Sequence, residues 1–181
     1  VIRPPVATDY RGVTVLAQPP SSQAMLLTMA LRRLTAESAS DGSPVAHHRA
    51  VEAMTGAFAF RDRITQEGAD AELMALADSI PISERASRAD HAKGYNHTTS
   101  VTVADRDGNV VSMLISVFDS FGCATWVAEG GFFVNDRLLS FSADPESPNA
   151  AAGGKRPVHT LSPAMIIDGQ RLVGISTPSA D

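Results

Sequence analysis

Two adjacent threonines, Thr98 and Thr99, stand at the head of a predicted strand, and a tight turn follows at Asp107-Gly108. A threonine hydroxyl is a weak nucleophile unless a base lies within hydrogen-bonding distance. Cleavage of the peptide bond between His97 and Thr98 would supply that base, because the freed α-amine sits on the same residue as the hydroxyl. Such an amine has a pKa of about 8 and accepts a proton near neutral pH. The sequence thus predicts a self-activating nucleophile at Thr98 or, in an uncut chain, an ordinary strand residue.

Composition excludes several other classes of function. The chain has 181 residues, 44% of them hydrophobic, which is enough to bury a sizeable core. A net charge of −5 argues against a nucleic-acid partner. The single cysteine, Cys123, excludes an internal disulfide and a cysteine-based zinc site, and we expect it to be a small core residue. No apolar run approaches the ~20 residues of a membrane span, and no cofactor or metal is expected.

The first half of the chain reads as mainly helical. A strand is predicted over 11–17, followed by a helix that Ser21 or Ser22 caps and that runs to about Leu34. Spacing of i, i+3, i+4 and i+7 predicts one buried stripe on this helix, made of Leu27, Ala30, Leu31 and Leu34.

A second helix is predicted over 45–64, and a short one over 72–79. The second helix is expected to turn Val51, Met54 and Phe58 inward and to leave Glu52 in solvent. The segment from 66 to 97 is expected to be an exposed connector, the kind of segment at which chains are cut.

The second half of the chain reads as mainly β. Strands over 100–104 and 110–117 flank the Asp-Gly turn, and the second of them is apolar enough to be covered on both faces. Further strands are predicted over 125–129 and 132–134, and a second hairpin over 164–175. Helices followed by strands predict an α+β domain with helices packed on a mainly antiparallel sheet.

Several blocks together resemble the γ-glutamyltranspeptidase family. The run 98–109, Thr-Thr-x-x-x-Val-x-Asp-x-Asp-Gly-Asn, resembles the start of the family's small subunit, and 9–22 resembles a late segment of its large subunit. Other blocks agree in order and spacing: Phe121-Gly122, Asn135 ahead of Phe141-Ser142, Pro148-Asn149, Gly154-Lys155-Arg156-Pro157 and Ser162-Pro163. The resemblance covers essentially the whole chain.

This resemblance implies an N-terminal-nucleophile hydrolase with an αββα sandwich that is incomplete in this chain. Residues 1–97 would be the end of the large-subunit segment and 98–181 the start of the small-subunit segment, together one domain. The precursor would cut itself between His97 and Thr98, and Thr98 would attack a small-molecule amide to form an acyl-threonine. Ser116 stands where the family has a threonine that supports the nucleophile; alternatively it fills an ordinary strand position.

The same resemblance exposes departures in the substrate pocket. Ser140 stands where the family has an acidic residue for the substrate's α-ammonium group, and Phe118 replaces an asparagine. Arg137 replaces a glutamine or acidic residue, and His159-Thr160 replaces a pair of serines. Two glycines that supply oxyanion-hole amides become Ser179-Ala180, whose backbone amides are still present. We hypothesise that the acyl group is apolar, or acidic without an amine, as in glutaryl-type β-lactam acylases.

Two alternatives stay open at this point. In the first, the correspondence with the family between residues 135 and 142 would be shifted by one residue. In the second, the chain would be an uncut relative that serves as a binding or scaffold protein. The chain also begins inside the large-subunit-like segment and ends where the oxyanion loop starts, so we expect it to be part of a longer precursor whose other segments are its partners. Family members are usually exported, but the sequence leaves the compartment, the acyl donor and the acceptor open.

Overall fold

Helices dominate the first half of the chain and strands the second. The computed structural model describes residues 2–35, 42–66, 68–86 and 98–177. Its helices and strands, in chain order, are β1 (Val6–Tyr10), β2 (Val13–Ala17), α1 (Ala24–Thr35), α2 (Pro44–Phe58), α3 (Ala69–Leu76), β3 (Thr98–Ala104), β4 (Val110–Ser116), β5 (Trp126–Val127), β6 (Phe132–Phe133), β7 (Ala164–Asp168) and β8 (Arg171–Ile175). This mixture of helices and antiparallel strands agrees with the predicted α+β class.

A four-stranded antiparallel sheet in the order β1-β2-β7-β8 joins the two ends of the described chain. The predicted strand over 11–17 is wrong at its start, because Arg11 and Gly12 form the turn between β1 and β2. Both residues have a positive φ, 54° and 87°, as two-residue hairpin turns require. β1 was missed because Thr8 and Asp9 break its apolar pattern. The hairpin predicted over 164–175 is confirmed as β7 and β8.

Helix α1 begins directly after the predicted cap, where the Ser22 hydroxyl accepts a hydrogen bond from the Ala24 amide at 3.1 Å. The predicted stripe is correct only in part: Ala30 is buried and Leu34 packs against the core, whereas Leu27 and Leu31 are only half-buried. The core side of α1 is formed by Met25, Leu26 and Met29. The reason is that α1 packs against β1 and β2 and also against α2, so its buried arc is wide and centred on the methionines.

Helix α2 starts at Pro44, capped by the Ser43 hydroxyl, and ends at Phe58 rather than continuing to 64. Met54 and Phe58 pack against the core, as predicted. Val51 is 62% exposed instead of buried, and the buried residues of α2 are Glu52, Ala53 and Ala57. Small residues on the buried side of α2 allow the segment around Ile80 to pack closely against this helix. At Gly56, for example, a Cβ atom would stand only 2.4 Å from a methyl carbon of Ile80.

The helix predicted over 72–79 begins earlier, as α3, and finishes in a 3₁₀ turn over Ala77–Ser79. Much of the predicted connector, residues 87–97, lies outside the described residues.

The hairpin of β3 and β4 is confirmed, and its turn is held by one carboxylate. Asp105 Oδ1 accepts hydrogen bonds from the amides of Asp107 and Asn109, both at 2.9 Å, and Oδ2 accepts from the Asn109 side chain at 2.7 Å. These bonds, those of Asn109 above all, lower the pKa of Asp105. Gly108 supplies the positive φ, 85°, that the turn requires.

The hairpin has a hydroxyl-rich inner face and an apolar outer face. On the inner face a Cβ atom at Gly174 of β8 would stand 2.6 Å from the Thr102 methyl carbon and 2.9 Å from a methyl carbon of Val110. The four-stranded sheet therefore approaches the hairpin through β8. The prediction that both faces of β4 are covered is wrong for this chain, because Val111, Met113 and Ile115 on the outer face are exposed.

Two further expectations concern residues between β4 and β7. Cys123 is exposed rather than a core residue, because it lies on a surface loop and its amide hydrogen-bonds to the Val134 carbonyl. The strands predicted around Gly130-Gly131 are present but short, as β5 and β6, with Trp126 and Phe133 in edge-to-face contact at 5.0 Å.

Candidate functional site

Thr98 and Ser116, the two predicted catalytic residues, face each other across the hairpin. They form the terminal pair of the β3–β4 register. Because side chains alternate along a strand, both lie on the inner face together with Thr102 and Ser112. The Ser116 hydroxyl also accepts a hydrogen bond from the Phe118 amide at 3.0 Å. The hairpin thus brings together two hydroxyls that are 18 positions apart in sequence.

Phe118 begins the loop that leads away from this pair, and its backbone is strained. Its φ is 82°, a conformation that is rare for a bulky side chain. The loop then meets a distant segment, because the Asp119 amide donates to Asp136 Oδ1 at 3.0 Å and the Asp136 amide donates to the Val117 carbonyl at 3.2 Å. These two bonds bring the residue after Asp136, which is Arg137, next to Phe118.

Arg137 is the centre of the predicted substrate-binding residues. It is 9% exposed, and its guanidinium carbon lies 4.4 Å from the centre of the Phe118 ring. Its Nη1 donates a hydrogen bond to Thr160 Oγ1 at 2.8 Å. A cation over an aromatic face and a charge-assisted hydrogen bond both stabilise a buried guanidinium. Phe118, Arg137 and Thr160, which are widely separated in sequence, are therefore in direct contact.

His159 lies beside this group and is held by its backbone. Its amide donates to the Ser21 carbonyl, and its carbonyl accepts from the Gln23 amide, both at 2.8 Å. Burial lowers the pKa of His159, and the charge of Arg137 lowers it further. The ring is consequently neutral near pH 7. Its Nδ1 atom is buried and makes no hydrogen bond within the described part of the chain.

Ser140 ends the 3₁₀ turn that Arg137 begins. It is buried, and its carbonyl accepts a hydrogen bond from Asn149 Nδ2 at 2.7 Å. Its hydroxyl and Asn149 Oδ1 are both buried without a hydrogen-bond partner among the described residues. Buried polar atoms without partners are uncommon in proteins and frequently mark ligand or water positions.

Three predicted residues, His97, Ser179 and Ala180, lie outside the described residues. The sequence analysis missed two others, Arg3 and Arg156, as site residues. Both line a cavity of ≈ 390 Å³ beside Arg137 and His159. Arg156 lies in a recognised block, but nothing in the sequence links Arg3 to a site more than a hundred residues away.

Neither a metal centre nor a membrane helix is found in the described part. No group of three or more His, Cys, Asp or Glu among residues 2–35, 42–66, 68–86 and 98–177 is placed to hold a metal ion. None of the described helices combines the length and the apolar character needed to cross a membrane.

Comparison with known proteins identifies the family. The profile of the family described as Gamma-glutamyltranspeptidase matches residues 1–176. The chain is 33% identical over 177 residues to the glutathione hydrolase-like YwrD proenzyme of Bacillus subtilis (strain 168), covering 91% of this chain and 34% of that protein. It is 36% identical over 143 residues to the oxamate amidohydrolase proenzyme of Klebsiella pneumoniae, covering 73% of this chain and 26% of that protein.

Solved structures agree with the sequence matches. The crystal structure of a cephalosporin acylase from Bacillus halodurans matches with a TM-score of 0.74 and 26% identity, over 94% of this chain and 33% of that one. The chain thus spans about a third of the length of several of its relatives. With a family profile matching nearly every residue, the chain belongs to the γ-glutamyltranspeptidase family.

Proposed function

We propose that the full-length protein is an autoprocessing amidohydrolase or acyltransferase whose nucleophile is Thr98. The observation that carries this proposal is the pairing of Thr98 with Ser116 at the head of the hairpin. Two hydroxyls on one face, at a strand terminus that cleavage would free, suit a nucleophile and a supporting donor. The relatives from Bacillus subtilis and Klebsiella pneumoniae are both named proenzymes, which supports processing of a precursor.

Processing and catalysis would follow from the chemistry of one residue. Hydrolysis of the His97–Thr98 peptide bond consumes one water and leaves a carboxylate on His97 and a free amine on Thr98. That amine takes the hydroxyl proton as Thr98 Oγ1 attacks the substrate carbonyl, and it then gives the proton to the leaving amine. Water, or an acceptor amine, resolves the acyl-threonine. Backbone amides at Ser179 and Ala180 would stabilise the oxyanion.

The proposed acyl pocket consists of Phe118, Arg137, Ser140, His159 and Thr160. Ser140 offers no charge to a substrate ammonium, and losing such a charge-assisted bond costs ~1.5–3 kcal/mol, or about ten- to a hundredfold in binding. A buried Arg137 disfavours an ammonium further. We therefore propose an acyl group that is apolar, or acidic without an amine. Oxamate, named for one relative, is an amide that carries a carboxylate and no ammonium group.

The remaining segments of the precursor would complete the αββα sandwich. In that arrangement a further helical layer covers the apolar outer face of the hairpin. An uncut binding or scaffold protein is the alternative function, and the observation that favours it is Ser140 in place of the expected carboxylate.

N-terminal sequencing and intact-mass analysis of the purified full-length protein test the proposal. We expect a new terminus at Thr98 in the parent and in Thr98→Ser, and an uncut chain in Thr98→Ala. Thr99→Ala is the matched control, because Thr99 is exposed on the opposite face and pairs with Ile115. An uncut parent chain would overturn the proposal and favour the scaffold alternative.

Turnover of p-nitroanilides then tests the acyl specificity. We expect glutaryl-p-nitroanilide to be hydrolysed faster than γ-glutamyl-p-nitroanilide, and a strong γ-glutamyl preference would contradict the proposed pocket. Ser116→Ala should lower kcat about 10²-fold or more, as loss of a positioned proton-transfer or donor group does. Ser116→Thr, which keeps the hydroxyl, should retain most of the activity.

A further inference from the structure

Asp136 holds the two residues on either side of Phe118. Its amide donates a hydrogen bond to the Val117 carbonyl at 3.2 Å, and its Oδ1 accepts one from the Asp119 amide at 3.0 Å. Its carbonyl accepts a third bond, from the Leu139 amide at 2.9 Å, inside the 3₁₀ turn that follows it. The loop that begins at Phe118 is therefore fastened to this turn through a single residue, 17 positions beyond Asp119.

These bonds matter because the backbone of the loop is strained. The φ of Phe118, 82°, lies in the left-handed region, which a bulky side chain adopts rarely and only where its surroundings enforce it. Phe121 and Ala124, further along the same loop, also have positive φ values, 60° and 58°. Without its bonds to Asp136 the loop would relax toward ordinary backbone conformations, and Phe118 would be the first of these residues to move.

The conformation of Phe118 in turn fixes the hydroxyl of Ser116. The Phe118 amide donates to Ser116 Oγ at 3.0 Å, and the backbone that Asp136 holds sets the direction of this amide. An oxygen that accepts a hydrogen bond from a fixed amide is confined to one side-chain rotamer. Ser116 is also the cross-strand partner of Thr98. A series of contacts thus leads from Asp136, through the backbone of Phe118, to the proposed catalytic pair.

We propose that Asp136 is a positioning residue, which acts through the Phe118 amide to orient the Ser116 hydroxyl beside Thr98. This inference rests on the function proposed for Thr98 and Ser116. A displacement of about 1 Å in a catalytic group can lower the rate about a hundredfold, so the orientation of this hydroxyl has a measurable effect. What Asp136 supplies is an acceptor atom in one place, and its charge is secondary.

Three substitutions at Asp136 separate the acceptor atom from the charge. Asp136→Ala removes the acceptor and should lower kcat for the better of the two p-nitroanilides about tenfold or more. Asp136→Asn keeps an oxygen at the same place and should retain kcat within about fivefold. Asp136→Glu keeps the charge but moves the oxygen by one methylene, so it should resemble Asp136→Ala even if the alanine variant folds poorly. Equal losses in Asp136→Asn and Asp136→Ala would overturn the inference.

A double-mutant cycle with Ser116→Ala shows whether the effect passes through the Ser116 hydroxyl. Without that hydroxyl Asp136 has nothing to orient, and Asp136→Ala should lower kcat further by no more than about twofold. The same loss in both backgrounds would indicate a merely structural role and overturn the inference. Asp144→Ala is the matched control and should keep the parental kcat, because Asp144 is exposed and its Oδ1 likewise accepts a backbone amide, that of Glu146, at 2.9 Å.

Hydrogen exchange in the full-length protein tests the contacts without requiring turnover. The amides of Phe118 and Asp119 should exchange about tenfold or more faster in Asp136→Ala than in the parent, with the amides of β7 as an internal reference. Unchanged exchange would overturn the inference. Faster exchange in an uncut, inactive protein would support the Asp136 contacts and contradict the Thr98 chemistry. A cleaved Asp136→Ala protein with the parental kcat would do the reverse.

Discussion

At the scale of single residues, the site depends on a cationic group held in a buried position. Phe118 and Thr160 both contact the guanidinium of Arg137 and stabilise it in this buried position. The cost of this arrangement appears at Phe118, which adopts a positive φ that an asparagine or glycine tolerates more easily. Strained residues that are held in place by their surroundings are often found at functional sites. The strained backbone of Phe118 thus accompanies the contact of its ring with Arg137.

The pKa of His159 leads to a prediction about stability. Burial, followed by the charge of Arg137, lowers this pKa below its ordinary value of 6.5. As the pH falls below about 6.5, the unfolded chain therefore binds a proton that the folded chain does not, and the free energy of unfolding decreases. Above that pH both states are neutral and the effect disappears. Between about pH 7.5 and 5.5, His159→Gln should lose less stability than the parent in urea denaturation of the full-length protein.

The matched control for this measurement is His47→Gln, a change of the same type at an exposed position on α2. The pH dependence of His159→Gln should depart from that of the parent more than the pH dependence of His47→Gln does. If the free energy of unfolding of His159→Gln changed with pH as steeply as that of the parent, the burial of this ring would not contribute to acid sensitivity.

At the scale of secondary-structure elements, the hairpin and the four-stranded sheet are held together at β8. The Ser112 hydroxyl donates to the Ile175 carbonyl at 2.6 Å, and the hydroxyls of Thr102 and Ser176 lie 3.0 Å apart. Both contacts are made by the two residues that follow Gly174, whose missing side chain lets the two layers approach. This packing positions the face of the hairpin that carries Thr98 and Ser116.

Gly174→Ala is expected to destabilise the protein, because the new methyl group would stand 2.6 Å from the Thr102 methyl carbon. Overpacking of this kind typically costs ~1–3 kcal/mol in the free energy of unfolding. The control is Gly153→Ala, since a Cβ atom at Gly153 meets nothing within 4 Å. Chemical denaturation compares the two variants, and equal stabilities would show that the layers do not approach closely at β8.

At the scale of the whole molecule, the outer face of the hairpin is an exposed apolar surface. Thr99, Val101 and Val103 pair with Ile115, Met113 and Val111 in register, so five of these six exposed residues are apolar. Contiguous exposed patches of this kind are uncommon on finished protein surfaces and indicate a packing interface. A layer contributed by the rest of a longer precursor, as the proposed sandwich requires, would cover it.

Ile115→Lys tests this coverage in the full-length protein. In this chain Ile115 is 57% exposed, and a lysine at a solvent-facing position would change stability by no more than about 0.5 kcal/mol. If another layer covers the face, the buried ammonium should cost ~2 kcal/mol or more. Arg106→Glu, in the exposed turn, is the control for a surface charge change. A loss no larger than that of the control would place the hairpin face in solvent.

Local sequence patterns were sufficient to predict the turn and the strand pairing of the β3–β4 hairpin. Asp105, Gly108 and Asn109 specify a tight turn, and that turn sets the register that places Thr98 opposite Ser116. Turn chemistry and strand alternation act over a few residues, so they can be read from the sequence. The family resemblance, which rests on blocks along the whole chain, could also be recognised from the sequence, and it is confirmed by the family profile.

Tertiary structure alone decided which residues meet and which faces are buried. The positions of Met25 and Ala53 in the core depend on how α1 and α2 are surrounded, which helical periodicity does not report. The contact of Arg137 with Phe118 and Thr160, and the addition of Arg3 to the same cavity, join segments far apart in the chain. Such convergence results from sheet pairing and loop packing over long sequence distances, for which single-residue propensities carry no information.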